Sequence, residues 1–144
     1  MTSQEFLSAI KSRGARFSDA ISSQQITLTN ASLRQNRIAM LPKALIEIYA
    51  VTGTINLDTA YIFGPTEIER FGTFPIPDIL SINNGITKYT KLNGMTIFGR
   101  NDLFWFAFDA FGTFYMLDNL NLKPLRKYDD PYRAMTDCLI AGKI

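Results

Sequence analysis

The feature that most constrains the fold of this chain is an aromatic run, Phe104-Trp105-Phe106-Ala107-Phe108. The run is too short and too bulky for a membrane helix. Turn-forming residues bound it, with Asn101-Asp102 before it and Asp109-Ala110-Phe111-Gly112 after it. A short, continuous apolar run between turn signals is typical of a strand buried on both faces. We therefore predict a strand over 103–109 that turns tightly into a second strand over 113–117.

The composition predicts one globular domain over residues 1–144. The hydrophobic fraction is 47% and the charged fraction is 19%, values that are ordinary for a folded protein. The formal net charge is only +2, and the basic residues are scattered along the chain. Lys88, Tyr89 and Lys91 interleave charge with an aromatic ring, but without a basic cluster we do not expect direct nucleic-acid binding.

Histidine is missing from the sequence, which excludes Ser-His-Asp and Cys-His nucleophile systems and any His-ligated zinc site. The single cysteine, Cys138, has no partner for an intramolecular disulfide, and we expect it to be a small buried hydrophobe. The N-terminus lacks a signal-peptide pattern, and no segment approaches the roughly 20 apolar residues of a membrane span. We therefore expect a soluble, cytoplasmic protein without membrane insertion.

Helix signals are strongest near the two ends of the chain. The capping-box spacing of Thr2 and Glu5 predicts a helix over Ser3–Arg13. At the other end, Asp130 at the N-cap and Pro131 at the first helical position predict a C-terminal helix, and this capping role explains Asp129-Asp130 better than a metal site does.

The region between 15 and 53 gives less regular signals. Residues 15–30 suggest a loop or a short edge strand, with Asn30 capping a helix over 31–40. Pro42 at the first helical position and Gly53 at the left-handed C-terminal position bound a further predicted helix.

From residue 54 onward the hydrophobic period becomes that of strands. We predict strands over Ala60–Phe63 and 124–127, whereas 66–71 fits either a strand or one helical turn. Asn83-Asn84-Gly85 predicts a turn after Ile79–Ile82. Asn93-Gly94 predicts a type I′ hairpin that pairs a strand over 86–92 with a strand over 95–99. The order of elements predicts an α+β fold, with an antiparallel β-sheet packed against N-terminal and C-terminal helices.

Catalytic chemistry has little support in the residues. Glu67 and Glu69 would face the same way on a strand and could act as an acid/base or metal-binding pair, but two solvated charges are the more common outcome. Asp109 is best explained as the first residue of a turn. No glycine-rich phosphate-binding motif is present. We therefore predict no catalytic residue, no metal ligand and no cofactor.

An ordered set of motifs over about residues 30–142 resembles the SUKH superfamily, which is also known as the yeast glucan-synthesis-regulator family. The motifs are a helix introduced by Leu41-Pro42 and ended at Thr52-Gly53, the stretch Phe98-Gly99-Arg100-Asn101-Asp102, the turn Asp109-x-x-Gly112, the returning strand Phe114-Tyr115-Met116-Leu117-Asp118, and the C-terminal helix. The resemblance implies an antiparallel sheet packed on helices.

For function, the resemblance implies binding. Many bacterial members are immunity proteins that bind and neutralise a toxin, often a nuclease or a deaminase, and the eukaryotic founder regulates cell-wall synthesis. We therefore expect a non-enzymatic protein-binding domain and, within that class, an immunity protein. The alternatives are a regulator or scaffold in glucan synthesis, and a small-molecule-binding domain with an aromatic cleft around Trp105, Tyr89 and Tyr61. The partner-binding candidates are Glu67, Glu69, Arg100, Asn101, Asp102 and Trp105.

Overall fold

The structure is a computed structural model that describes residues 1–68, 75–87 and 92–140. Within these ranges, seven strands form one antiparallel sheet in the order of the sequence, and five helices accompany it. The elements are α1 (Ser3–Ser12), β1 (Arg16–Phe17), α2 (Ser23–Gln35), α3 (Lys43–Tyr49), β2 (Ile55–Leu57), β3 (Ala60–Ile62), α4 (Ile79–Thr87), β4 (Thr96–Arg100), β5 (Phe104–Phe108), β6 (Phe114–Asp118), β7 (Pro124–Tyr128) and α5 (Pro131–Ile140).

The C-terminal helix α5 lies across the sheet and contacts β2 through β7, and the N-terminal helix α1 packs against α5 and α3. Phe6 of α1 meets Tyr132 of α5 with ring centroids 6.1 Å apart. This arrangement confirms the predicted α+β fold, in which an antiparallel sheet packs against helices from both ends of the chain.

The aromatic run lies at the centre of the sheet, as predicted. β5 pairs with β4 on one side and with β6 on the other. Phe106 and Phe108 belong to the main core, whereas Ala107 belongs to a smaller apolar cluster with Ile97 and Leu117. Because successive strand residues point to opposite faces, β5 is buried on both sides.

The caps at the ends of the chain and the β5–β6 turn are also confirmed. The Thr2 hydroxyl accepts a hydrogen bond from the Glu5 backbone at 3.1 Å. The Asp130 carboxylate accepts one from the Tyr132 backbone at 3.0 Å. The Asp109 carboxylate accepts hydrogen bonds from the backbone nitrogens of Phe111, at 2.9 Å, and Thr113, at 3.0 Å. Local sequence suffices at these positions because each side chain satisfies a nearby backbone group.

The prediction for residues 15–40 was largely wrong. The short edge strand exists as β1, but the helix that follows covers Ser23–Gln35, and Ser22 rather than Asn30 caps it. Asn30 lies inside this helix, where its side-chain oxygen accepts a hydrogen bond from the Leu41 backbone at 2.8 Å. The sequence did not predict this helix because the helix buries little apolar surface. Its buried residues are Thr29 and Leu33. Apolar residues therefore do not recur at the spacing of one helical face.

The helix that follows is shorter than predicted. Pro42 is the N-cap of α3 rather than its first residue, and the helix ends at Tyr49. Gly53 does not occupy a left-handed C-terminal position; a Cβ there would lie 2.9 Å from the Ile21 side chain. Gly53 is therefore explained by the close approach of the Ser18–Ile21 segment and not by helix termination.

The predictions for residues 79–99 contain the largest error. Asn83-Asn84-Gly85 is not a turn but the middle of α4, and Ile86 belongs to the same helix. Asn93 and Gly94 do have positive φ angles of 53° and 82°, as a type I′ turn requires. However, β4 pairs with β3 and β5, so the predicted pairing of 86–92 with 95–99 does not exist in the described ranges.

Asn83 ties α4 to β4. Its side chain is buried and donates to the Ile97 carbonyl at 2.9 Å while accepting from the Ile97 nitrogen at 2.8 Å. The amide thus satisfies the backbone N–H and C=O groups of Ile97, which lies in the part of β4 beyond the end of β3. This tertiary contact overrides the local turn preference of Asn and Gly.

Residues 69–71 of the ambiguous 66–71 segment and residues 88–91 lie outside the described ranges.

Candidate functional site

Three turns lie at one end of the sheet and form the surface that we call the turn end. They are the β2–β3 turn at Asp58–Thr59, the β4–β5 turn at Asp102–Leu103, and the β6–β7 turn over 119–123. In an antiparallel meander, alternate connections fall at the same end, so the strand order itself brings these turns together. The Thr59 hydroxyl donates to the Asp102 carboxylate at 2.8 Å and joins the first two turns.

Two leucines are exposed at the turn end. The side chain of Leu103 is 54% exposed and that of Leu120 is 92% exposed. A single exposed leucine needs no explanation, but two on adjoining turns give this surface apolar contact area. Neither residue was a sequence candidate. The available signal was an apolar residue inside a polar turn, in Asp102-Leu103 and in Asn119-Leu120-Asn121.

Carboxylates accompany the two leucines. Asp58 and Asp102 are exposed in the turns, and Asp118, at the end of β6, is half-exposed. The basic residues of the same region are Lys123, in the turn over 119–123, and Arg100, at the end of β4. The Asp118 carboxylate accepts hydrogen bonds from the backbone nitrogens of Leu120, at 2.8 Å, and Asn121, at 3.0 Å. These bonds to the charged form lower the pKa of the Asp118 carboxyl. With three carboxylates against two cations, the turn end carries a small excess of negative charge.

Arg100 and Trp105 lie at the base of the turn end. They are paired positions on β4 and β5, and the Arg100 guanidinium carbon is 4.7 Å from the centre of the Trp105 ring. Both side chains are half-buried, and the cation lies over the face of the indole ring. The structure thus brings three of the sequence-predicted residues, Arg100, Asp102 and Trp105, to one place.

Asn101 has a different role from the one expected. It is 5% exposed, and its side-chain oxygen accepts hydrogen bonds from the backbone nitrogens of Leu103 and Phe104, each at 2.8 Å. Its amide nitrogen donates to the Cys138 carbonyl at 3.2 Å. The side chain is therefore turned inward and supports the β4–β5 turn, which corrects its assignment as a surface contact.

Glu67 is not part of the turn end. It is exposed and lines a groove of about 650 Å³ together with Phe17, Ser18, Asp19 and Gln25. This groove adjoins the opposite end of β2, where the Ser18 nitrogen donates to the Thr54 carbonyl at 3.0 Å. Glu69, the second member of the predicted carboxylate pair, lies outside the described ranges.

A second cavity, of about 320 Å³, lies beside Arg100, and we call it the aromatic cavity. Its lining includes Tyr61 and Phe63, whose rings stack with centroids 6.3 Å apart, and Ile76 and Ile82. This cavity corresponds in part to the predicted aromatic cleft. Tyr61 lines it. Trp105 does not line it but stacks on Arg100, which does, and Tyr89 lies outside the described ranges.

Cys138 is fully buried, as predicted, and its thiol lies 3.4 Å from the Tyr61 carbonyl oxygen. Burial raises the pKa of this thiol.

In the part of the chain that the structure describes, no three acidic or cysteine side chains gather as a metal site would require. None of the helices in the same ranges combines the length and the apolarity of a membrane span.

Comparisons with models of protein families, with curated proteins and with solved structures returned no match.

Proposed function

We propose that this chain is a non-enzymatic protein-binding domain and that the turn end is its main contact surface. The observation that carries the proposal is the pair of exposed leucines, Leu103 and Leu120, among the carboxylates of Asp58, Asp102 and Asp118. Protein interfaces combine an apolar centre with a polar rim, and their binding energy concentrates in a few residues, among which Trp and Arg are enriched. Arg100 and Trp105, which stack at the base of the turn end, are one arginine and one tryptophan of this kind.

Among binding roles we propose toxin neutralisation in the cytoplasm. The support is the resemblance of the motifs around Leu41-Pro42, Phe98–Asp102 and Asp109–Gly112 to the SUKH superfamily, together with the small excess of negative charge at the turn end. A nuclease domain has a basic surface because it must bind phosphates. An acidic partner would associate with it quickly and cover that surface.

A regulator or scaffold in cell-wall or glucan synthesis is the alternative within the same family resemblance. A regulator would bind a different partner from an immunity protein, but both would act by binding and not by catalysis. A toxin gene with a variable C-terminal domain beside the gene for this chain would favour neutralisation, and an unrelated neighbourhood would favour the regulator.

The test is a co-expression rescue against the toxin domain encoded nearby. The variant Leu103→Ser/Leu120→Ser should fold, by circular dichroism, and protect cells poorly, because it removes the apolar centre of the interface. The matched control is Leu28→Ser on α2, since Leu28 is 56% exposed and α2 contributes no residue to the turn end. We expect the control to protect as the wild type does.

A second arm of the same experiment tests the charges. Asp58→Asn/Asp102→Asn should slow association with a basic toxin and make it less sensitive to salt, whereas Asp129→Asn should not. Full protection by the folded double-leucine variant would remove the turn end from the interface. Turnover of a substrate by purified protein, lost on a single Asp or Glu change, would overturn the non-enzymatic assignment.

A further inference from the structure

The aromatic cavity has apolar walls that come from two parts of the chain. Tyr61 and Phe63 come from β3 and the residue after it, and the Pro75–Pro77 segment and Ile82 come from the part of the chain around the start of α4. Thr59 and Arg100 complete the lining. The volume of about 320 Å³ falls at the lower end of the range typical of small-ligand sites, about 300–1,000 Å³. A body of one or two rings therefore fits this space.

Arg100 is the charged residue of the lining. In the described part of the chain its guanidinium stacks on Trp105 but forms no salt bridge. The nearest carboxylate in the sequence, Asp102, instead accepts the Thr59 hydroxyl at 2.8 Å. Stacking uses the face of the guanidinium and leaves its N–H donors, which lie in the plane, available to an acceptor in the cavity.

The charge and shape of this site select one class of ligand. A half-buried guanidinium binds most strongly to an anion with two coplanar oxygens, because two of its N–H groups can donate parallel hydrogen bonds to them. A single cation balances a single negative charge, so a carboxylate suits the site better than a doubly charged phosphate ester. The apolar walls then require that the remainder of the molecule carry no charge.

We propose that the aromatic cavity binds a small monocarboxylate with a flat apolar body, with the carboxylate on Arg100 and the body between Tyr61, Phe63 and Ile82. This site shares Arg100 and Thr59 with the turn end but not the exposed leucines, and it does not rest on the protein-binding proposal. Ligand binding is measured on the purified chain without a toxin, so its failure and the failure of the protein-binding proposal are distinguishable.

The experiment compares 3-phenylpropionate with its uncharged amide, 3-phenylpropanamide, on the full chain. Trp105 is the only tryptophan in the sequence and stacks on Arg100, so its fluorescence reports occupation of the site, and calorimetry gives the affinity. We expect the acid to bind at least about 10-fold more tightly than the amide, because a hydrogen bond to a charged group is worth about that much.

Variants then assign the preference to Arg100. Arg100→Gln should make the acid and the amide bind equally, and Arg100→Lys should restore part of the preference because it keeps the charge without the fork. The matched control is Arg133→Gln, an exposed arginine of α5 that does not line the cavity. Equal binding of acid and amide to the wild type would overturn the proposal. So would a preference that survives Arg100→Gln, or the absence of saturable binding up to about 10 mM acid.

Discussion

The side-chain amide of Asn101 donates a hydrogen bond to the backbone carbonyl of Cys138 at 3.2 Å and ties the β4–β5 turn to the last turn of α5. The same side chain accepts hydrogen bonds from two backbone nitrogens of that turn, Leu103 and Phe104. One buried residue therefore fixes the turn end relative to the helix that covers the sheet.

We expect Asn101→Ala to destabilise the fold by about 1–3 kcal/mol, because it leaves buried backbone groups without partners. Urea denaturation measures the change. Asn119→Ala, at an exposed turn position, is the control and should stay within about 0.5 kcal/mol of the wild type. Equal stability of the two variants would contradict the anchoring role of Asn101.

Phe106→Ala should cost about 3–5 kcal/mol, since truncating a fully buried aromatic loses transfer free energy and leaves a cavity. Phe106 is 0% exposed, and its ring packs near Phe98 and Tyr128. Phe111→Ala is the matched control because Phe111, in the next turn, is 93% exposed. A loss below about 1 kcal/mol for Phe106→Ala in urea unfolding would show that β5 is not the centre of the core.

Two glycines should respond in opposite directions. Gly94 has a φ angle of +82°, so Gly94→Val forces a β-branched residue into the left-handed region and should destabilise by about 1–2 kcal/mol. Gly85 lies inside α4 with open space around it. Gly85→Ala should therefore stabilise by about 0.5–1 kcal/mol. Thermal unfolding measures both, and a destabilising Gly85→Ala would contradict the helix at this position.

The protein should lose stability as the pH rises above about 10. Burial, the first cause in each case, raises the pKa values of Tyr49, Tyr128 and Tyr132 in the folded state above their ordinary value of 10.0. Hydrogen bonds from Tyr128 to Asp137 and from Tyr132 to Glu47 add to the shift for those two residues.

A phenol whose pKa is higher in the folded state than in the unfolded state favours folding below the unfolded pKa. That contribution is lost as the pH rises through the folded value. Urea midpoints between about pH 9 and about pH 11 should therefore fall, and they should fall less steeply for Tyr128→Phe. A midpoint that stays constant above pH 10 would contradict the expected shifts.

The structure also shows where local signals mislead. Asn83-Asn84-Gly85 has the residues of a turn, yet Asn83 is held in a helix by its two hydrogen bonds to Ile97, 14 residues away in the sequence. Asn93-Gly94 adopts the predicted backbone angles, but β4 pairs with other strands. Backbone preference is a property of two or three residues, whereas pairing depends on which segments meet across the fold.

The sequence by itself determined the central strands, the β5–β6 turn, the caps of α1 and α5, and the α+β class. In each of these cases the hydrophobic period or a side-chain cap acts within a few residues. Only the tertiary structure decided that Leu120 lies at the same end of the sheet as Asp102 and Leu103, that Asn101 is buried, and that Glu67 lies elsewhere. The reason is that contacts between turns follow from the order and register of the strands, which residues far apart in the chain set together.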